Sequence, residues 1–437
     1  MINPMNWQKA QNLDDAWSNF DPFYPLPSGS PFYVKRDDSP LDRMKRALLR
    51  THNTPQQYFF SGFTGCGKST ELNRLAVDTE LQKKFFVVKF SVRDTCDPNS
   101  LNYVDVLVAM GAKIFETYTN QGGRLDQGIY REVKTWGQRV EERIQEKGVQ
   151  SLVEAESGGG VEIPKWIANF FLRLTGRIQT EHSSRSIIRE TLEPTLTELL
   201  SKINLISAGI LNKQKKPVLV LVDDLDKALE EDALKLFKAN LSALQQPNFY
   251  VVYTVPVWIF YSAEFSAIQP PHASILPNIK LHPKANRTKQ DSAGYQVMKE
   301  FILRRMSEDL ISQPALKYAA QRSGGVLREL ARLLQISIDS AIEREAAKVE
   351  RSDVERAVHE LRNEYRRILS EADYEALKEI HANCAYEGID RIRHLLERLL
   401  VLEYENESNW FDVHPVLEEI VQAWQKPRKS RSSPKAS

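Results

Sequence analysis

Cysteine is scarce in this sequence, and neither sign of charge prevails. Of 437 residues only three are cysteines, at positions 66, 96 and 384, and none of them forms a C-x-x-C pair. This pattern argues against a disulfide framework and a structural zinc site, and it fits a reducing, cytoplasmic location. With 59 lysine and arginine residues against 58 aspartate and glutamate residues, the net charge of +1 predicts no overall basic surface for nucleic acid or anionic membranes.

Long hydrophobic runs are also missing. No apolar stretch approaches the roughly 18 residues that a membrane helix needs. The polar start of the chain, with Asp14 and Asp15, lacks the apolar core of a signal peptide. We therefore expect a chain that is neither exported nor inserted into a membrane. Its length and its 42% hydrophobic content allow two or three packed domains.

Short apolar segments alternate with helical patterns in the first part of the chain. Four of them have the continuous apolar character of strands buried on both faces: 57–61, 85–92, 217–222 and 250–255. Strands of this kind separated by helices predict an α/β fold with a parallel sheet.

The interval from about 100 to 215 is unusually long for one connection between strands. Helical patterns at Tyr130 to Glu146 and Ile187 to Leu211 predict a helical insertion, with a flexible tip at Ser157 to Gly160. The alternative is a disordered linker, which the aromatic residues of the interval disfavour.

A glycine-rich loop follows the first strand and precedes a helical pattern. Its sequence from Gly62 to Ser69 matches the phosphate-loop pattern G-x-x-x-x-G-K-[ST]. In such a loop main-chain N–H groups bind phosphate, Lys68 reaches the β- and γ-phosphate oxygens, and the Ser69 hydroxyl is a ligand of Mg²⁺. The predicted nucleotide-binding residues of this loop are Gly62, Phe63, Thr64, Gly65, Cys66, Gly67, Lys68, Ser69 and Thr70.

Acidic residues follow the third strand, whose carboxyl end lies beside the phosphate loop in a sheet of this kind. Asp223 is predicted to hold Mg²⁺ through water, together with Ser69. Asp224 has the position of the general base that polarises the attacking water, and because Asp is shorter than Glu, slow hydrolysis is expected. Asp226 is the alternative base. The expected cofactors are therefore ATP or ADP and Mg²⁺.

These motifs resemble those of the AAA+/STAND division of P-loop ATPases. The segment from Asp223 to Lys227 is similar to the acidic signature of STAND, KAP and origin-recognition-type members, and the resemblance covers about residues 30 to 425. It implies that Thr254 is the sensor 1 residue that reads the γ-phosphate, and that Arg328 approaches the same phosphate from a helical lid. The alternatives are an ordinary strand-terminal threonine and a surface arginine on a lid helix.

The second half of the chain has mainly helical patterns. Residues 370–425 show two helical stretches, at 374–383 and 389–400, followed by a hairpin, which is typical of a winged helix. The predicted fold class is α/β: a P-loop parallel sheet with a helical insertion, followed by a helical lid and a C-terminal winged helix. The predicted domains are an N-terminal lead-in beside the nucleotide base (1–35), the ATPase domain (36–290), the lid (291–369), the winged helix (370–425) and a basic disordered tail (426–437).

The resemblance also separates branches of the family. Oligomeric AAA+ machines usually carry an arginine finger before the fifth strand, yet no arginine occurs from Glu190 to Asn286, and Lys280 lacks the bidentate fork. A ring ATPase with catalysis between subunits is therefore disfavoured.

The segment 412–414 resembles the Met-His-Asp motif of NB-ARC winged helices, whose histidine touches the bound diphosphate. This implies that His414 contacts nucleotide, although Pro415 stands where the motif has Asp. The alternative is a structural histidine that caps the final helix.

The hypothesis that follows is an ATP-binding, slowly hydrolysing, Mg²⁺-dependent switch of STAND-like, signalling or regulatory type. Its nucleotide state is expected to control the arrangement of the lid and the winged helix, and thereby partner binding. STAND proteins usually add a sensor array and an effector, so a protein partner is expected to supply these functions, with the insertion as its docking surface. A nucleotide-dependent oligomer is compatible with this hypothesis.

Two alternatives remain open. The first is a DNA-associated AAA+ ATPase of origin-recognition or transposition-regulator type, which would contact DNA through Arg391, Arg393 and Arg398 of the predicted recognition helix and through the basic tail. The alternative role of the tail is that of a solubilising terminus. The second is a scaffold that binds nucleotide without turnover.

Overall fold

The computed structural model describes residues 7–36, 40–51, 54–150, 162–262, 265, 267–268, 272–284, 286–386, 388, 391–405 and 409–425. The predicted tip at 157–160, residues 389–390 of the predicted recognition helix and the basic tail at 426–437 lie outside the described residues. Among the helices that are described, none combines the length and the apolar character that crossing a membrane requires.

A parallel sheet forms the centre of the first half of the chain. Its strands are β1 (Gln57–Gly62), β2 (Phe86–Ser91), β3 (Val218–Asp223), β4 (Tyr250–Val255) and β5 (Ala273–Leu276). Their order is β2-β3-β4-β1-β5, and every neighbouring pair is parallel. Every residue of β3 and β4 is buried, as expected for central strands covered on both faces. The predicted α/β class with a parallel sheet is confirmed.

Helices cover the two faces of this sheet. Of the described helices, α1 (Leu13–Asn19) and α2 (Pro40–Arg50) precede β1. Two more, α3 (Lys68–Ala76) and α4 (Thr79–Lys84), lie between β1 and β2. Five of the described helices lie between β2 and β3: α5 (Tyr103–Asn120), α6 (Gln127–Glu146), α7 (Ile163–Thr180), α8 (His182–Leu192) and α9 (Leu196–Gln214). In the part of the chain that the structure describes, three short helices follow β3 before β5: α10 (Glu230–Leu234), α11 (Leu241–Leu244) and α12 (Val257–Phe260).

Aromatic side chains join α6 and α7, two of the described helices between β2 and β3. The Phe170 ring stacks on Trp166 with ring centres 5.4 Å apart and meets the edge of Trp136 at 5.8 Å. The predicted single helix from Ile187 to Leu211 is two helices, because Pro194 lies in a tight turn between them and cannot donate a helical hydrogen bond.

Four helices follow the sheet: α13 (Ser292–Arg305), α14 (Gln313–Arg322), α15 (Leu327–Glu343) and α16 (Arg351–Arg366). One face of α15 is apolar and buried, as the spacing of Leu330, Leu334 and Ile338 requires. The Tyr365 hydroxyl donates to Glu329 at 2.8 Å and joins α16 to the beginning of α15.

The C-terminal part contains helices and an antiparallel hairpin: α17 (Glu371–Asn383), α18 (Arg393–Glu397), β6 (Val401–Glu405), β7 (Asn409–Val413) and α19 (Glu418–Ala423). The helix expected over 389–400 is shorter than predicted. It begins at Arg393 and ends at Glu397, since Leu399 adopts φ 61°, which no α-helix accommodates, and the chain then turns into β6.

The N-terminal residues run between the second half of the chain and α3. The Ala10 N–H donates to the Arg305 carbonyl at 3.0 Å, and the Ser307 N–H donates to the Ala10 carbonyl at 2.9 Å. Farther along, the Leu26 N–H donates to the Thr70 hydroxyl at 3.1 Å. The lead-in therefore ties α13 to the helix that follows the glycine-rich loop.

Candidate functional site

The glycine-rich loop joins β1 to α3 with a backbone that only glycine adopts readily. Gly65 and Gly67 have φ of +80° and +105°, in the left-handed region. A Cβ atom on Gly65 would lie 2.3 Å from the Cβ of Arg328, so this position also allows α15 to approach closely. The loop conformation leaves main-chain N–H groups at the N-terminus of α3, where an anion is stabilised.

Lys68 begins α3 and is 6% exposed. Its ammonium donates to the Gly62 carbonyl at 2.7 Å and to the Phe63 carbonyl at 3.0 Å. A third contact, 2.9 Å long, joins it to the Asp226 carboxylate. Burial works to lower the pKa of Lys68, but Asp226, Cys66 and Asp223 together outweigh burial and raise it, so the side chain is charged at neutral pH.

Asp223 ends β3 beside the loop. One carboxylate oxygen accepts from the Ser69 hydroxyl at 3.1 Å, and the other lies 3.0 Å from the Lys89 ammonium on the neighbouring strand. Burial raises the pKa of Asp223; Lys89 opposes this rise, whereas Asp224 and Asp226 add to it. Asp223 and Ser69, the two residues predicted to hold a metal, are thus in direct contact.

Asp224 follows with φ 68°, a left-handed conformation that turns its side chain away from the strand direction. Its carboxylate accepts from the Ser91 hydroxyl at 2.6 Å and pairs with Lys227. Burial favours a higher pKa, but the hydrogen bonds from Lys227 and Ser91, together with the positive charges of Lys227 and Arg93, outweigh it and keep the pKa of Asp224 below its ordinary value. The carboxylate is therefore ionised and oriented at neutral pH.

The three aspartates after β3 form one cluster. Ligand atoms of Asp223, Asp224 and Asp226 lie within 4.8 Å of one another. Carboxylate and hydroxyl oxygens are the ligands that Mg²⁺ prefers, and the Ser69 hydroxyl is already hydrogen-bonded to Asp223. These residues fit a site for a divalent cation next to the glycine-rich loop.

A cavity of about 410 Å³ opens over the loop. Ten of the predicted site residues line it: Thr64, Gly65, Gly67, Lys68, Ser69, Thr70, Asp223, Asp224, Asp226 and Arg328. The opposite wall comes from the lead-in, including Trp7, Phe23 and Tyr24. This volume is within the usual range for small-molecule sites, and its walls combine a cation, N–H groups, carboxylates and aromatic rings.

Arg328 connects α15 to this cavity. Its main-chain N–H donates to the Gly65 carbonyl at 3.3 Å, and its Nε donates to the Pro22 carbonyl of the lead-in at 3.0 Å. Burial lowers the pKa of the guanidinium. The structure thus brings Arg328 to the loop, as the resemblance implied, and its approach to a γ-phosphate stays a prediction.

Thr254 and His414 lie elsewhere. The buried Thr254 hydroxyl accepts from the Leu225 N–H at 2.9 Å and donates to the Val222 carbonyl at 3.3 Å, so it fastens the acidic turn to the end of β4. His414 is fully buried and does not line the cavity; the Val416 N–H donates to its Nδ1 at 3.3 Å. Burial lowers the pKa of His414 to about 3, so this histidine is neutral. In this arrangement His414 holds the turn that leads to the last helix.

Sequence reasoning missed several residues at the cavity. Lys89 was predicted only as part of a strand, although a lysine inside an apolar strand is a signal for a buried partner. Arg36 donates to the Cys66 carbonyl and, at 3.1 Å, to the Pro277 carbonyl. Arg305 is 4% exposed, and burial, followed by the neighbouring Arg304, lowers its pKa to about 9. No periodicity in the sequence distinguishes these two arginines from exposed ones.

One arginine of the predicted DNA-contacting helix, Arg393, contacts the sheet domain. Arg393 pairs with Glu230 of α10, and its guanidinium lies 4.3 Å from the ring centre of Trp258 in α12. Arg391 and Arg398 are exposed. In this arrangement an acidic and an aromatic side chain of the sheet domain contact Arg393, and DNA binding by the three arginines stays a prediction.

The strand order β2-β3-β4-β1-β5, the phosphate loop between β1 and α3 and the acidic end of β3 together define a P-loop nucleotide-binding fold. No protein-family model matches the sequence, and no curated protein is significantly similar to it.

Among solved structures, Cdc6p from Pyrobaculum aerophilum is 12% identical, with a TM-score of 0.39 over 93% of this chain and 97% of that one. The Thermotoga maritima RuvB Holliday junction branch migration motor is 13% identical, with a TM-score of 0.36 over 89% and 93%. The Drosophila ORC bound to DNA is 10% identical, with a TM-score of 0.41 over 97% and 94%. The assignment of the fold class rests on the sheet order and the phosphate loop.

Proposed function

We propose that this protein binds ATP with Mg²⁺ and hydrolyses it slowly, as a switch whose nucleotide state sets the arrangement of the lid and the C-terminal unit. The observation that carries the proposal is that one cavity is lined by the phosphate loop, the three aspartates, the lead-in and α15. A nucleotide in this cavity would contact every part of the chain that meets there.

The roles of the residues follow from their contacts. The loop amides and Lys68 would bind the β- and γ-phosphates. Ser69 and Asp223 would hold Mg²⁺, which neutralises charge on the phosphate oxygens when bound. Asp224, ionised and fixed by Ser91 and Lys227, would orient the attacking water. A carboxylate with a lowered pKa is a weak proton acceptor, which supports slow turnover.

The switch part of the proposal rests on contacts between domains. Arg328 joins α15 to the loop at Gly65 and to the lead-in at Pro22. A γ-phosphate that attracted the guanidinium would compete with the Pro22 contact, so ATP and ADP would favour different positions of the lead-in and lid. A protein partner that binds only one of these positions would be controlled by the nucleotide.

The first experiment measures nucleotide binding and phosphate release. Lys68→Ala should abolish binding of Mg²⁺-ATP, whereas the control Lys83→Ala, which removes an exposed lysine of α4, should leave it unchanged. Asp224→Asn should keep binding and lower turnover by about 100-fold. Equal phosphate release by Asp224→Asn and the unaltered protein would refute the role of Asp224. Identical scattering profiles and protease patterns in ATP and ADP would refute the switch.

A DNA-associated ATPase is the second candidate. It is supported by the helix and hairpin of the C-terminal unit and by the exposed Arg391 and Arg398. Its test is retention on duplex DNA at low salt, which should weaken steeply as salt rises. Failure to bind DNA at low salt would exclude this candidate.

A further inference from the structure

The Lys68 ammonium has no donor left for a phosphate in this arrangement. An ammonium group offers three N–H donors. The carbonyls of Gly62 and Phe63 and the carboxylate of Asp226 take one each, at 2.7, 3.0 and 2.9 Å. A phosphate oxygen must therefore replace one of these three acceptors before it can bind Lys68.

Asp226 is the acceptor that would leave. Gly62 belongs to β1 and pairs with β5, and the Phe63 carbonyl also accepts from the Cys66 N–H at 3.2 Å, so both are fixed by the backbone. Asp226 lies in a short helical turn, Leu225–Lys227, after the left-handed Asp224. It is also the only one of the three acceptors that carries a negative charge, and a phosphate placed beside it would be repelled.

We infer that Asp226 occupies the phosphate position on Lys68 and makes the site select Mg²⁺-bound nucleotide over free nucleotide. This inference rests on the proposed nucleotide binding. A phosphate that displaces Asp226 leaves three carboxylates together, because Asp223 and Asp224 lie within 4.8 Å of it. Of these, Asp223 keeps Lys89 and Asp224 keeps Lys227 as a cation partner, whereas Asp226 loses the only ion pair it makes among the described residues. A divalent cation that arrives with the phosphates supplies the missing positive charge.

The test compares ADP binding with Mg²⁺ and with EDTA by calorimetry. For the unaltered protein, the Kd for ADP should be at least about 100-fold higher with EDTA than with Mg²⁺. Asp226→Asn removes the competing charge, so it should bind ADP with EDTA about tenfold more tightly than the unaltered protein. The matched control Glu231→Gln removes one exposed carboxylate five residues later and should leave both affinities unchanged.

The outcomes separate the inference from the proposed function. If the folded, unaltered protein binds no ADP even with Mg²⁺, the proposed function fails. If it binds Mg²⁺-ADP, but Asp226→Asn binds ADP with EDTA no more tightly than the unaltered protein does, only the inference is overturned. Should the Asn variant fail to fold, Asp226→Ser tests the same charge removal. Equal affinity of the unaltered protein with Mg²⁺ and with EDTA also overturns the inference.

Discussion

Burial of Glu403 predicts how the stability of the C-terminal hairpin changes with pH. The side chain lies on β6, is 1% exposed and accepts from the Asn409 amide at 2.7 Å. The main-chain carbonyl of the same residue accepts from Asn278 of the sheet domain at 3.2 Å, so the carboxyl group is buried where the hairpin meets that domain. Burial raises the pKa of Glu403 to about 7; Asn409 and the nearby Tyr261 hydroxyl oppose this rise, and Glu405 adds to it.

The magnitude follows from the two pKa values. Below pH 4.5 the carboxyl group is protonated in both the docked and the opened hairpin. Between pH 4.5 and 7 the opened form releases the proton while the docked form keeps it, so stability is lost as pH rises and levels off above 7. A shift from 4.5 to about 7 corresponds to about 3 kcal/mol when complete. About 2.5 kcal/mol of this loss falls between pH 5 and pH 8.

The variant Glu403→Gln removes the titration and keeps an oxygen that can accept from Asn409. Hydrogen exchange of peptides from 401–413 should show a protection ratio of variant to unaltered protein that grows about 70-fold from pH 5 to pH 8. The control Glu405→Gln changes an exposed residue of the same strand, and its ratio should stay near one at both pH values. A ratio for Glu403→Gln that is constant, or that falls as pH rises, would refute the reasoning.

Three further predictions concern the contacts between domains and the acid limit of stability. Gly65→Ala would place a methyl group against the Cβ of Arg328 at a left-handed position. The melting temperature should therefore fall by an amount equivalent to about 1–3 kcal/mol, and the scattering profile should show a more open lid. An unchanged profile would contradict the close contact. Arg393→Glu should weaken the contact between the C-terminal unit and the sheet domain, and protease cleavage should increase. The double variant with Glu230→Arg should restore resistance to cleavage. Cleavage that stays raised in the double variant would argue against this ion pair. His414 keeps its pKa at about 3 when folded, so the free energy of unfolding should fall by at most about 1.4 kcal/mol per pH unit as pH drops from 6.5 toward 3. In urea unfolding, His414→Gln should make this dependence on pH shallower. Equal slopes for the variant and the unaltered protein would exclude His414 as the cause.

The sequence predicts the sheet and the phosphate loop well because their signals are local. Continuous apolar runs mark β1 to β4, and the loop pattern lies where a strand gives way to a helix. The contact between Ser69 and Asp223 follows from the same logic, because carboxyl ends of parallel strands meet at one edge.

Other parts of the site depend on contacts between distant segments, which no local pattern encodes. Arg305 contacts the lead-in through the Phe32 carbonyl, and Arg36 contacts the Pro277 carbonyl, so both reach the cavity through partners that are distant in sequence. The helix predicted over 389–400 is shorter in the structure. Apolar spacing continues past Leu399, but the backbone of Leu399 adopts a left-handed conformation. Arg393 has the same charge as an exposed arginine, and only the fold shows that Glu230 pairs with it.

The path of the lead-in has a consequence for how the chain folds as it is synthesised. The Asn19 side chain donates to the carbonyl of Arg305, which lies 286 positions later. At about 5–20 residues per second, the ribosome would need about 15 to 60 seconds to deliver that partner. During this time Phe20 and Phe32, both fully buried at the end, have no native surface from α13 to cover them. The lead-in is thus among the last segments to fold, and its aromatic side chains remain accessible to chaperones until residues near Arg305 have been synthesised.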